Sequence, residues 1–236
     1  MPAEPSPAQI TPITNPSDFP TVFDTLTATF AHQTNDAIWK ATNPRWSTPS
    51  GRAEGIQRWV TRWEARTNDA EGRPNTLFLK ASVDGALAGF AVWQAASFVP
   101  GHGDAPTDDV DVETLHPGDE TEQRFARQIY ASLVKRRIAY VREKEREVPP
   151  AVFLLDICAV DPAFQRRGIA GELVRFGLEE ARRRGLEATT EASSMGRGVY
   201  ERLGFWTEGE VHYDLDDEFS GRERPSNVFM RTGRHT

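Results

Sequence analysis

Apolar residues recur along this chain with two different periods, and the switches between them lay out its elements. Val22, Leu26 and Phe30 stand four apart behind a helix N-cap offered by Asn15, Ser17 or Asp18, which predicts a first helix. A short strand over 9–14 precedes it. Ile56, Val60 and Trp63 share one face of a second predicted helix over 51–66. TLFLKASV (76–83) and ALAGFAVWQA (86–95) read as strands joined by Asp84-Gly85, a pair that supplies the positive φ of a type I′ hairpin turn. Phe125, Ile129, Leu133 and Ile138 give a long helix over 121–145 its apolar face. AVFLLDICAV (151–160) is the most apolar run, and its length, β-branched content and preceding prolines favour a buried strand. A helix over 168–184 stopped by Gly185, a strand over 186–191, a short helix over 198–203 and strands over 208–215 and 227–231 complete the pattern.

The resulting order, β-α-α-β-β-α-β-α-β-α-β-β, mixes hairpins with crossovers. It predicts an α/β (mixed α+β) fold, one domain around a central mixed, twisted sheet of about seven strands with helices on both faces. The domain is expected over 9–232, between loose tails at 1–8 and 233–236, with an irregular acidic loop at 100–120. At 236 residues the chain suits a single domain of this kind.

Composition narrows the function. The chain has 28 Lys+Arg against 35 Asp+Glu, a formal net charge of −7. That balance argues against a general nucleic-acid or membrane-surface binder, which needs a positive field. The one cysteine, Cys158, excludes an internal disulfide and a Cys-rich zinc module. His32, His102, His116, His212 and His235 lack metal-ligand spacing, so no metal is expected. The start, MPAEPSPAQI, has no basic-then-apolar leader pattern, and no apolar run approaches a membrane span. A cytoplasmic protein, monomeric or homodimeric, is the expectation.

One segment departs from the acidic background. The strand over 151–160 leads through Gln165-Arg166-Arg167-Gly168-Ile169-Ala170-Gly171 into a helix. A helix N-terminus carries unpaired N–H groups and the positive end of the helix dipole, a ready site for phosphate or pyrophosphate. Gly168 permits close backbone approach, Ala170 and Gly171 keep the first turn small, and Arg166 and Arg167 add charge. The spacing fits neither a Walker loop nor a dinucleotide fingerprint.

Gln165–Ala170 resembles the Q/R-x-x-G-x-G/A signature of the GNAT superfamily of acetyl-CoA-dependent N-acetyltransferases. ICAVDPAF before it is similar to that family's strand entering the loop. Val199-Tyr200-Glu201-Arg202-Leu203-Gly204-Phe205 resembles its Y-x-K-x-G-F motif, and together with Glu191-Ala192-Ser193 is similar to fungal members of uncertain substrate. The resemblance implies a sheet splayed in the middle and acetyl-CoA as cosubstrate. Backbone N–H groups of Arg166, Arg167, Gly168, Ile169, Ala170 and Gly171 would hold the pyrophosphate. Ala159 and Val160, with Cys158 before them, would meet the pantetheine arm. Tyr200 would protonate the departing thiolate, and an amine would be the acceptor. Ser193 and Gly196 stand where Asn and Ala are common. Serine can still hydrogen-bond a pantetheine amide, with shorter reach.

An amine nucleophile must be neutral, so a general base is expected. Asp156 is one candidate, a carboxylate in an apolar strand, on the face of Leu154 and Cys158 by strict alternation. Glu191, at the end of the next strand, is the other. Each is equally readable as a buried partner for an arginine. Lys135-Arg136-Arg137 and Arg182-Arg183-Arg184 read as solvated helix faces, and Cys158 as a packed small hydrophobe. The acceptor pocket is expected from the first two helices, the 100–120 loop and the 121–145 helix. Acidic loop residues (Asp104, Asp108, Asp109, Asp111, Glu113) suit a cationic amine if that loop is ordered. Trp39, Trp46, Trp59, Trp63 and Trp93 read as pocket lining or core anchors. Two other classes fit the same motifs: a CoA-binding module without catalysis, and a protein lysine acetyltransferase.

Overall fold

The computed structural model describes residues 6–233. The expected tails at 1–8 and 233–236 lie largely outside those residues, and His235 entirely so.

β1 (Gln9–Pro12) leads to a turn in which the Asn15 side chain accepts the Ser17 N–H at 2.9 Å. α1 (Phe19–Leu26) buries Phe19, Val22, Phe23 and Leu26. The helix then widens over Thr27–Gln33, where the Thr34 N–H reaches back five residues to the Thr29 carbonyl at 3.1 Å. Such wide turns recur at functional sites. α2 (Ala37–Thr42) was not expected, because six residues are too few to establish a helical period. α3 (Pro49–Glu64) starts two residues early because Thr48 accepts the Gly51 N–H at 3.1 Å and Pro49 needs no N–H at that position.

β2 (Thr76–Val83) and β3 (Ala86–Ala96) form the expected hairpin, with φ of 51° at Asp84 and 81° at Gly85. The 100–120 loop is less irregular than expected. It contains α4 (Val112–Leu115), whose Val112 packs with Phe125 and Ile129 of α5 (Glu120–Glu143). β4 (Val152–Val160), α6 (Ile169–Arg184), β5 (Glu187–Ala192) and α7 (Ser194–Arg202) follow. Gly168 and Gly185 bound α6 at φ 82° and 69°. β6 (Trp206–Glu210) lies earlier than the predicted 208–215, and β7 (Val228–Arg231) closes the sheet.

The seven strands run in the order β1-β2-β3-β4-β5-β7-β6, and only the β4–β5 pair is parallel. α6 and α7 cover one face, over Trp93, Phe153 and Leu155. α1, α3 and α5 cover the other, over Phe78, Phe90 and Leu154. α6 lies directly on Trp93 because its closest residue is Gly177, where a Cβ would stand 1.9 Å from the indole. Among the described residues no helix is long and apolar enough to cross a membrane.

Candidate active site

β4 and β5 pair only from Val152–Glu187 to Leu155–Thr190, where the Thr190 hydroxyl donates to the Leu155 carbonyl at 3.0 Å. Beyond that point β4 pairs with β3 alone and β5 with β7 alone, so the sheet splays at its centre. The β3–β4 register jumps there. Val92 faces Ile157, while Trp93 faces Leu155, leaving Asp156 as the extra residue of a β-bulge. The bulge inverts the faces. Leu154 packs with Tyr140 and Phe229 on the α5 side, whereas Cys158 packs against the α6-side core and Ile157 against the α1–α3 side. The expected alternation of Leu154, Asp156 and Cys158 on one face therefore breaks at Asp156.

Arg137 of α5 sits in the wedge of the splay. Its Nη1 donates to Asp156 at 2.9 Å, its Nε to both Glu191 oxygens at 3.1 Å, and its Nη2 to Glu191 as well. Arg62 of α3 donates to the second Asp156 oxygen at 2.7 Å. This corrects the reading of 135–137 as a solvated face: the Arg137 side chain is 8% exposed. The signal was present, since Phe125, Ile129, Leu133 and Arg137 share one four-residue spacing. Arg184 is likewise buried, donating to Glu180 at 2.6 Å and to the Pro74 carbonyl at 3.1 Å. Burial resists ionisation of Asp156, but the two guanidiniums outweigh it and hold the carboxyl well below the usual range. Both sequence candidates for the base are thus engaged with arginine, and Asp156 binds a proton weakly.

Two cavities open at the splay. The first, about 420 Å³, lies between the C-terminal half of β4, the loop into α6 and the start of α7. The second, about 440 Å³, lies between α2, α3, the α4 loop and α5, with Asp156 and Glu191 in its wall. Phe30, Asp36, Cys158, Ser193, Tyr200 and Asn227 line both. Of the tryptophans, Trp39 and Trp59 line the second cavity, whereas Trp93 is buried and stacked on Phe153 at 5.4 Å. Of the acidic loop residues, Asp109 and Asp111 line it too. Asp104 instead accepts the Asn75 amide at 2.9 Å, and Glu113 pairs with Arg127 at 3.1 Å.

Tyr200 is buried against Phe205, and burial raises its hydroxyl well above the usual phenol value. Burial also pushes the Cys158 thiol up to about 12. Ser193 caps α7, its Oγ accepting the Gly196 N–H at 3.3 Å, which starts that helix four residues earlier than predicted.

At the loop into α6, Arg166 has φ 65° and lines the first cavity with Ala170. Ile169 is buried in the core, and Arg167 lies over the Phe164 ring at 5.2 Å. No side chain caps α6, so its first N–H groups are available to an external acceptor. Nothing stands within 4 Å of where a Gly168 Cβ would be. An uncapped helix start, an open glycine and two arginines suit a pyrophosphate. Val160 presents a carbonyl already held by Thr29 Oγ1 at 3.2 Å and Gln165 Nε2 at 2.9 Å. Among the described residues no group of His, Cys, Asp and Glu is arranged to hold a metal ion.

No curated protein matches the chain by sequence. Solved structures share its fold at low identity. The Aedes aegypti arylalkylamine N-acetyltransferase 2 is 20% identical, with 95% of this chain and 97% of that one covered and a TM-score of 0.61. A Corynebacterium glutamicum protein described as histone acetyltransferase HPA2 and related acetyltransferase is 18% identical, with 97% of each chain covered and a TM-score of 0.57. The Drosophila melanogaster polyamine N-acetyltransferase, which forms N-acetylagmatine, is 13% identical, with 95% and 98% covered and a TM-score of 0.54. Residues 33–205 match the acetyltransferase (GNAT) family, a span that holds the splay, both cavities' shared wall from Asp36 to Tyr200 and the loop into α6, and the chain belongs to that family of N-acetyltransferases.

Proposed function

We propose that this protein transfers an acetyl group from acetyl-CoA to the primary amine of a small molecule. The observation that carries the reading is the meeting of two cavities at Cys158, Ser193 and Tyr200 beside the splay. One cavity runs to the anion-suited loop and the other to an acidic, aromatic chamber. Backbone N–H groups from Arg166 to Gly171 hold the pyrophosphate, with Arg166 and Arg167 adding charge. β4 beyond Leu155 has no sheet partner toward β5, and its edge at Cys158, Ala159 and Val160 takes up the pantetheine amides in the manner of an added strand.

The acceptor enters the second chamber, where Asp36, Asp109, Asp111, Asp156 and Glu191 outnumber Arg58, Arg62 and Arg137. That surplus of carboxylates attracts an ammonium group. Phe30, Trp39, Trp59 and Tyr130 suit an apolar or aromatic body behind it. The arylalkylamine of the mosquito enzyme's name has that form. The neutral amine attacks the thioester carbonyl directly, and Tyr200, protonated throughout the physiological range, gives its proton to the departing sulfur.

The test is thiol release from acetyl-CoA across a panel of aryl, alkyl and polyamine acceptors, with Tyr200→Phe as control. The expected result is amine-dependent release that falls at least tenfold in the variant while acetyl-CoA binding is unchanged. Tight CoA binding without release on any amine would instead identify a CoA-binding module, and release on lysine peptides alone a protein acetyltransferase.

A further inference from the structure

We infer that Asp36 is the general base of the transfer reaction, taking the proton from the acceptor's ammonium group where the two cavities meet. This rests on the acetyltransferase reading above and goes beyond it. Asp36 is the one carboxylate among the described residues that lines both cavities, in company with Cys158, Ser193 and Tyr200. Glu223 borders only the first, and Asp109, Asp111, Asp156 and Glu191 border only the second. A base must reach the nitrogen at the moment that nitrogen reaches the thioester, so the shared wall is where it has to stand.

Pairing separates Asp36 from the two carboxylates at the splay, and position separates it from the rest. Asp156 and Glu191 are held by Arg62 and Arg137. Asp36 has no ion pair among the described residues. Its Oδ1 accepts the Trp39 N–H at 2.7 Å, which caps α2 and fixes the carboxylate in place. The groups facing it are Lys40 on its own helix, and Glu223 and Tyr213 from the C-terminal segment. Burial, with Glu223 adding to it, outweighs the helix N–H groups and Lys40 and raises the carboxyl above its usual value. That is the direction a base working near neutrality requires.

The step balances. The ammonium gives one proton to the Asp36 carboxylate, and the freed lone pair forms the C–N bond to the thioester carbonyl carbon. The C–S bond breaks, and its electron pair takes the Tyr200 proton. The second nitrogen proton restores Tyr200, and the proton on Asp36 passes to solvent. The products are an amide and a free thiol.

Asp36→Asn tests the assignment, because asparagine caps a helix as well as aspartate does and leaves α2 intact. The experiment is the pH profile of kcat/KM for wild type, Asp36→Asn and Asp156→Asn on the best amine of the panel, with acetyl-CoA affinity by calorimetry and thermal melting alongside. The expected result for Asp36→Asn is a loss of about 100-fold or more at pH 7 with affinity and melting unchanged. The deficit should shrink as pH rises through the amine's own pKa, where no base is needed. Asp156→Asn should retain the wild-type acidic limb. An Asp36→Asn profile parallel to wild type, at any rate level, would overturn the assignment while leaving acetyl transfer standing. Failure of wild type to acetylate any amine would overturn both.

Discussion

Gly196→Ala probes how tightly α7 positions Tyr200. A Cβ at 196 would lie 2.7 Å from Tyr200 Cε2 and 3.0 Å from both its Cζ and its hydroxyl oxygen. Ordinary carbon contact begins near 3.4 Å, so the ring must retreat by about 0.7 Å. Tyr200 is 8% exposed and has Phe205 beside it at 5.8 Å between ring centroids, so the ring moves toward the cavity junction and takes the hydroxyl away from the place proposed for the general acid. A misplacement near 1 Å costs up to about 100-fold in rate. Alanine gains about 1 kcal/mol of helix propensity over glycine, against about 1–3 kcal/mol of overpacking. The net is between no change and a loss of about 2 kcal/mol, a fall in Tm of at most about 8 °C for a chain of this size. The variant therefore stays folded at 25 °C while kcat falls about 10–100-fold. The assay is thiol release at saturating acetyl-CoA and amine, with a parallel thermal melt. In a Tyr200→Phe background the same substitution should add nothing, since both act through one hydroxyl. A Gly196→Ala enzyme with kcat within twofold of wild type would refute the reasoning.

Gly177→Ala should destabilise by about 3 kcal/mol or more and lower Tm by about 6–12 °C, because Trp93 is fully buried and cannot yield 1.5 Å; denaturant melts measure it. Arg137→Met leaves Glu191 buried without its cation and should cost about 3–5 kcal/mol, with most of the loss recovered by adding Glu191→Gln and Asp156→Asn. Asp156 is held below its ordinary value of 3.8, so its stabilising contribution is complete above that value and drains away as pH falls beneath it; Asp156→Asn should flatten the acid limb of a stability–pH curve. Cys158, with its thiol pushed up to about 12, should resist iodoacetamide in the native protein at pH 8 and react on unfolding, as read by mass spectrometry.

The parts of this fold that were legible in the sequence have local causes. The β2–β3 hairpin follows from Asp84-Gly85, whose positive φ any chain would need at that turn. α6 follows from apolar spacing between two glycines that both adopt left-handed φ. The buried β4 follows from an apolar run too short for a helix and bounded by prolines. The segments around Gly168 and Tyr200 could be read because their conformation is local: Gly168 takes a left-handed φ at the start of α6, and Tyr200 lies within the short helix α7.

What only the tertiary structure decided depends on groups far apart in the chain. The bulge at Asp156 comes from a register slip against β3, some sixty residues earlier; it leaves Asp156 on the α3–α5 side with Leu154 and sends Cys158 to the α6 side, which strict alternation did not predict. The spacing of Phe125, Ile129, Leu133 and Arg137 put Arg137 on the buried stripe, but what it pairs with was hidden until folding brought Asp156 and Glu191 to it from two other elements. Asp36 was hidden because a helix cap carries no catalytic signature of its own. Its place on the wall shared by both cavities exists only once the chain has folded. Sequence alone determines elements wherever backbone conformation and hydrophobic period suffice. The site needs long-range pairing, because charge, burial and reach are properties of neighbours that the chain brings together only on folding.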